Sequence, residues 1–337
     1  MLVAQHLRRL LLELEEQGQL IGEIVVVPAA NPIGLGQRLL EQPVGRFEFG
    51  SGENFNRHYP SLVSWIGPRL MEVAHKEQGE AVDVIRNMLR GACDLLQPAT
   101  ELQSLRKILL GLAIDADTVL DLHCDNEALL HAYTTPRLWP MVKPLAALLD
   151  CPLALLAEGS GDDPFDESCS MTWQKIAERL GAYGASVALC DEVGSACVAA
   201  TVELRGERDV SHESARTDAD AVLKFLAGRG HLASVADRDS LSAREGSTTV
   251  HPLAGTMPVV APASGVLVYL RELGQAVGEG EPLAEIVDPV TGHTCTVASP
   301  VDGLFFARDV RRYVAAGARI AKVSGSRPVR TGKLMSA

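Results

Sequence analysis

The chain has 337 residues, a length that suits one large domain or two ordinary ones. With 47% hydrophobic against 22% charged residues it can bury a substantial core, which excludes disorder over most of its length. A net charge of −12 argues against a general nucleic-acid binder.

Leu2 to Gln17 has helical periodicity, with Leu7, Leu10, Leu11 and Leu14 on one face and Gly18 placed to cap the end. Ile24 to Val27 is a short β-branched run stopped by Pro28 and predicts a buried strand. From Asn31 to Pro60 the pattern is irregular, as in a functional loop. Helices are predicted over Leu62–Gln78, Glu80–Leu96 and Thr100–Leu112, then strands over Thr118–Leu122 and Ala128–Tyr133 and a helix near Leu138–Leu149. A strand at Pro152–Leu156, a helix at Cys169–Leu180, strands at Ala185–Leu189 and Ala199–Leu204, and a helix at Glu213–Leu226 follow. Apolar strands alternating with amphipathic helices indicate a layered α/β domain with a largely buried sheet, over residues 1–235.

Residues 236–249 are polar and turn-rich, as in a linker. Beyond them, over 250–337, helical periodicity gives way to short strands such as Val266–Leu270 and Pro282–Val287. Pro300-Val301-Asp302-Gly303-Leu304 repeats the form of Pro262-Ala263-Ser264-Gly265-Val266, as expected for a small all-β barrel of two related halves.

From Gly303 onward eight basic residues face one acidic residue, a basic tail that reads as a solvated edge on an acidic body. No apolar run approaches the roughly 18 residues of a membrane span, and the N-terminus lacks the pattern of a secretory signal. The seven cysteines form no Cys-x-x-Cys pair, which points to reduced thiols and a cytoplasmic address.

Three patches carry candidate chemistry. Asp121-Leu122-His123 ends an apolar strand, where Asp121 and His123 share a face and the carboxylate can orient a metal-binding imidazole; a buried, hydrogen-bonded histidine is the alternative. In Gly52 to Pro60, Asn56 and Arg57 offer donors suited to a carboxylate, and Phe55 and Tyr59 can pin the loop to the core; an ordinary surface loop is the alternative. Glu203 ends the apolar strand from Ala199, where a carboxylate either pairs, works or lies exposed.

Asn31-Pro32-Ile33-Gly34, Asn54 to Pro60, Asp121-Leu122-His123 and Thr201-Val202-Glu203, in that order, resemble the succinylglutamate desuccinylase/aspartoacylase family. These are zinc amidohydrolases of the zinc-carboxypeptidase fold, with a mixed sheet, and many carry a C-terminal barrel. The resemblance implies that His123 is a zinc ligand with Asp121 behind it. It further implies that Asn56 and Arg57 bind the carboxylate of a small N-acyl amino acid, and that Glu203 is the general acid/base. Zn²⁺ would polarise the amide carbonyl and lower the pKa of its water toward about 7, and Glu203 would carry the proton to the departing amine.

The family's first two zinc ligands come from a His-x-x-Glu motif, and this sequence has none. Met1–Gln17 resembles the helix that follows that motif, which places both ligands upstream of residue 1 if the chain is truncated. The other expectation is a metal-free relative that binds a ligand or regulates; a carboxypeptidase acting on peptides is the rival among enzymes. As given, the chain is expected to be a poor or inactive enzyme. His6, and Glu72 with His75, are poor substitutes that read as helix-surface residues. The barrel resembles biotinyl/lipoyl carrier domains, but no lysine lies between Lys224 and Lys322 to hold a cofactor. It is therefore expected to flank the cleft or support a homo-oligomer.

Overall fold

The computed structural model describes residues 1–233 and 247–335, so most of the expected linker lies outside the described residues. The chain runs through α1 (Leu2–Glu16), α2 (Pro32–Gly36), the hairpin of β1 (Arg38–Leu39) and β2 (Gln42–Pro43), α3 (Val63–Ile66), α4 (Glu80–Leu95) and α5 (Glu101–Ala113). Next come β3 (Thr118–Asp125), β4 (Glu127–Ala128), β5 (His131–Thr134), α6 (Trp139–Leu148), β6 (Leu153–Leu156) and α7 (Phe165–Ala182). Then follow α8 (Val187–Gly194), β7 (Val198–Gly206), α9 (His212–Gly228) and β8 (Thr249–Pro252). The barrel is built from β9 (Thr256–Val260), β10 (Gly265–Tyr269), β11 (Ala276–Val277), β12 (Pro282–Val287), β13 (Thr294–Ala298), β14 (Gly303–Arg308), β15 (Tyr313–Val314) and β16 (Arg319–Ser324).

The central sheet is mixed, in the order β3-β7-β5-β6-β8, with every neighbouring pair parallel except β7 and β5. Alternation along β3 sends Val119 into the core under α4, α5, α7 and α8, and Leu120 and Leu122 toward the core under α1, α6 and α9. On the second side α1 buries Val3, Leu7 and Leu11 against α9, where each fully buried leucine contributes about 1.5–3 kcal/mol. Gly18, at φ 67°, turns the chain out of α1.

Several elements differ from the sequence reading. Ile24–Val27 joins no sheet; Ile24 and Val26 pack toward the α1–α9 core, whereas Val25 and Val27 are exposed. A β-branched run favours an extended backbone, but a strand also needs a ladder partner. Ala185–Leu189 is not a strand: Ser186 accepts a hydrogen bond from the Leu189 N–H and starts α8. Leu62–Gln78 is broken into α3 and a 3₁₀ turn over Gly67–Glu72, with Pro68 at the junction. His6, expected on the helix surface, is buried with Nε2 3.1 Å from His212 Nδ1.

The barrel's two related turns enter β10 and β14 at Gly265 and Gly303, where backbones nearly touch. A Cβ on Gly303 would lie 2.2 Å from the Ser324 carbonyl oxygen, and one on Gly265 2.5 Å from that of Val287. The two halves of the chain share strands. β4 pairs with β14 inside a barrel sheet, and β8 closes the edge of the α/β sheet against β6. Phe306 is fully buried in a cluster with Tyr133, Leu153, Leu155 and Leu253. The basic tail is a solvated edge only in part: Arg311, Arg319 and Arg327 are exposed, while others reach the acidic body. Arg308 and Arg312 bind Glu127 at 2.6 and 2.9 Å, Lys322 binds Asp125, and Lys333 binds Asp162 at 2.7 Å. Positive charge late in the chain thus docks on the acidic body.

Candidate active site

The platform is the carboxyl end of β3 and β7. Their parallel register sets His123 opposite Glu203 and Asp121 opposite Thr201, and antiparallel β5 extends the rows with His131 opposite Glu203 and Tyr133 opposite Thr201. Paired residues of a sheet share a face, so two polar rows cross three strands. Open α/β sheets place ligands at this end.

Asp121 Oδ2 lies 2.9 Å from His123 Nε2. The Asp121 carboxylate lifts the His123 imidazole to about 10, against the opposing effect of burial. About a third of the His123 side chain is still exposed, at 34%, so solvent screens this coupling. Burial raises the Glu203 carboxyl to about 6, with His123 pulling the other way, and its Oε2 is buried with no hydrogen-bond partner. Burial, and then Asp121, pushes buried Asp166 to about 7. Three carboxyls, Asp121, Glu203 and Asp166, therefore act electrostatically on one imidazole.

The loop before α3 is pinned over this platform. Phe55 and Tyr59 are buried as anticipated, and the Tyr59 ring lies 5.2 Å from that of Phe165. His58 adopts φ 58° and donates its N–H to the Asp162 carbonyl at 2.7 Å, while Tyr59 N–H donates to the Asp163 carbonyl at 3.1 Å. Buried Arg106 of α5 donates to Glu53 Oε2 at 2.9 Å and to the Asn54 carbonyl at 3.0 Å. Asn56 reaches the platform, with its amide nitrogen 3.3 Å from both Asp121 Oδ2 and His123 Nε2. Arg57 is buried and donates to the Asn56 carbonyl at 2.5 Å. Burial and Arg46 lower its pKa, while Asp162, Asp166 and Glu167 act the other way.

The structure thus brings Asn56, Asp121, His123 and Glu203 to one place and sets Arg57 beside them. Sequence reasoning missed Asp166 and Arg106. Arg106 had a readable signal, since it stands on the buried stripe Leu102, Arg106, Leu110 of α5. Asp166 looks like any acid in a first helical turn.

The residues present fit zinc only in part. Nε2 of His123 is engaged by Asp121 Oδ2 at 2.9 Å, so Nδ1 is the ring nitrogen that could take a metal. The other imidazole of the row, His131, is spent on the Leu129 carbonyl at 2.8 Å and the Tyr133 hydroxyl at 3.1 Å. Among the described residues no three His, Cys, Asp or Glu side chains are arranged to hold a metal ion. Catalytic zinc normally takes three protein ligands, so this donor set does not make a complete site.

No family model matches the sequence, and no curated protein matches it significantly. Solved structures do match. A succinylglutamate desuccinylase/aspartoacylase family protein from Shewanella amazonensis is 25% identical, with a TM-score of 0.79 over 96% of this chain and 86% of that one. A succinylglutamate desuccinylase/aspartoacylase from Shewanella frigidimarina is 24% identical, with a TM-score of 0.79 over 96% and 84%. The ectoine utilization protein EutE (DoeB) from Ruegeria pomeroyi, in a product-bound structure, shares the fold at 16% identity and a TM-score of 0.60 over 96% and 80%. Over 96% of its length, then, the chain is similar in fold to solved proteins of the succinylglutamate desuccinylase/aspartoacylase family.

Proposed function

We propose that the chain is a deacylase-type hydrolase whose substrate is a small N-acyl amino acid with a free carboxylate. The observation that carries this reading is Glu203: a buried carboxyl with one unpartnered oxygen, abreast of His123 at the carboxyl end of the sheet. Such a group suits taking a proton from water and handing it to a departing amine. Arg57, with Asn56 beside it, supplies the cationic side of the site for the substrate's carboxylate. His123 and Asp121 form the imidazole–carboxylate pair that faces the scissile bond. The resemblance implies zinc, but the described donors amount to one ligand and its orienting carboxylate, so no step is assigned to the metal.

That same donor set favours a second reading, a metal-free protein that binds the N-acyl amino acid without cleaving it. One experiment separates the two. Purified chain is incubated with a panel of N-acetyl and N-succinyl amino acids, with and without added zinc, and binding is followed calorimetrically. Turnover above background supports the hydrolase, and saturable binding without turnover supports the binding protein. Absence of both sinks the two readings together. Short peptides in the same panel test the carboxypeptidase alternative. The unpaired cysteines support a cytoplasmic setting. No helix among the described residues is long and apolar enough to cross a membrane.

A further inference from the structure

Past β16, residues 329–335 leave the barrel and cross to the α/β domain. The Val329 and Arg330 N–H groups donate to the Ala254 carbonyl at 2.9 and 3.0 Å. The Arg330 guanidinium then folds the segment back, donating to the carbonyls of Thr256, Leu334 and Lys333 at 3.1, 2.8 and 3.0 Å. Held this way, Lys333 lies over Gly161, where an added Cβ would meet its Cγ at 3.3 Å, and its ammonium reaches Asp162 Oδ1 at 2.7 Å. The Leu334 N–H donates to the Ser160 carbonyl at 2.8 Å, and Leu334 and Met335 pack toward the cluster of Tyr133 and Phe306.

The turn that receives this segment has a disfavoured backbone. Gly161, Asp162 and Asp163 all have positive φ, at 91°, 65° and 45°. Two successive aspartates keep that conformation only where their surroundings impose it. On its other side the turn grips the loop that carries Arg57: the Asp162 and Asp163 carbonyls accept from the N–H groups of His58 and Tyr59. Arg57 and Asp162 also attract each other. The turn is thus clamped between the late segment and that loop.

We propose that residues 330–335 form a latch, with Lys333 a positioning residue: by holding the 160–163 turn it fixes His58 and Tyr59 and so keeps Arg57 beside the β3–β7 platform. The effect on substrate rests on the reading of Arg57 given above; the latch itself does not.

The test uses the full chain, first without substrate or added metal. Lys333→Glu sets two carboxylates against each other, Lys333→Ala removes the cation, and Lys333→Arg keeps it. Deuterium uptake of peptides covering 55–60 is followed by mass spectrometry. It is expected to quicken by about twofold to fivefold in Lys333→Ala, the scale of one exposed ion pair, and by about fivefold or more in Lys333→Glu. Lys333→Arg should match the parent, and uptake in α1 and α9 should not change. Calorimetric affinity for N-acetyl and N-succinyl amino acids should fall in the same order and return in Lys333→Arg. If Lys333→Glu fails to fold, Lys333→Ala carries the result. Unchanged uptake over 55–60 overturns the proposal, and an affinity loss without faster uptake is a charge effect that overturns it too. Faster uptake with undiminished affinity also overturns the positioning role. A parent chain that binds no N-acyl amino acid removes the functional reading, and uptake over 55–60 then decides the latch by itself.

Discussion

Lowering the pH should weaken the joint between the barrel and the α/β domain through a single imidazole. His131 is fully buried, with its ring 5.0 Å from that of Phe306 in the barrel, and burial depresses its pKa from 6.5 to about 4. Its Nδ1–H donates to the Leu129 carbonyl and its Nε2 accepts from the Tyr133 hydroxyl, an arrangement that requires the neutral ring. Below 6.5 the unfolded chain takes up a proton that the native chain refuses, so stability falls steadily until about pH 4. Between about pH 7 and about pH 4.5 that difference is worth about 2 kcal/mol. Glu203 and Asp166 work in the opposite sense. Their native pKa values are raised, to about 6 and about 7, so they add stability as the pH falls through those values. The quantity to measure is therefore a difference: urea unfolding of the parent and of His131→Gln at both pH values. The parent should lose about 2 kcal/mol more than His131→Gln, which keeps the opposite pH dependence of Glu203 and Asp166. Parallel pH profiles, within about 0.5 kcal/mol, would refute the argument.

Three further outcomes are expected. Where hydrolysis of an N-acyl amino acid is detected, Glu203→Gln should lower kcat by at least about 10²-fold, and steady-state kinetics with unchanged turnover would remove Glu203 from the chemistry. Arg57→Ala should weaken binding of the same compounds in calorimetry by about tenfold or more; an unaltered affinity contradicts its carboxylate role. Gly303→Ala places a Cβ 2.2 Å from a backbone oxygen and should destabilise the barrel by at least about 2 kcal/mol, read as a lowered Tm.

The parts of the fold that were legible in the sequence are those where one local signal suffices. Periodic leucines specify α1, and the apolar runs ending in Asp121-Leu122-His123 and in Val202-Glu203 specify β3 and β7. The sequence does not pair these strands; their parallel register in the structure is what sets His123 opposite Glu203. What was illegible depends on partners remote in sequence. Ala185–Leu189 has a strand's composition, and only the Ser186 cap and packing on α7 make it helical. Ile24–Val27 has the right residues for a strand but no ladder neighbour among the described residues. Asp166 acquires its importance from Asp121, forty-five positions away, and the late basic residues acquire theirs from Glu127, Asp125 and Asp162. Charge counted along a chain does not say which carboxylate each cation will meet.

The loan of β4 to the barrel and the return of the chain through β8 to the edge of the central sheet have a practical consequence for dissection. A cut made after α9 strips the border from β6 and leaves β4 reaching for a neighbour that has gone, so the front fragment inherits raw strand edges prone to self-association. The two halves should melt together in one calorimetric transition, and neither should be recoverable as a well-behaved piece.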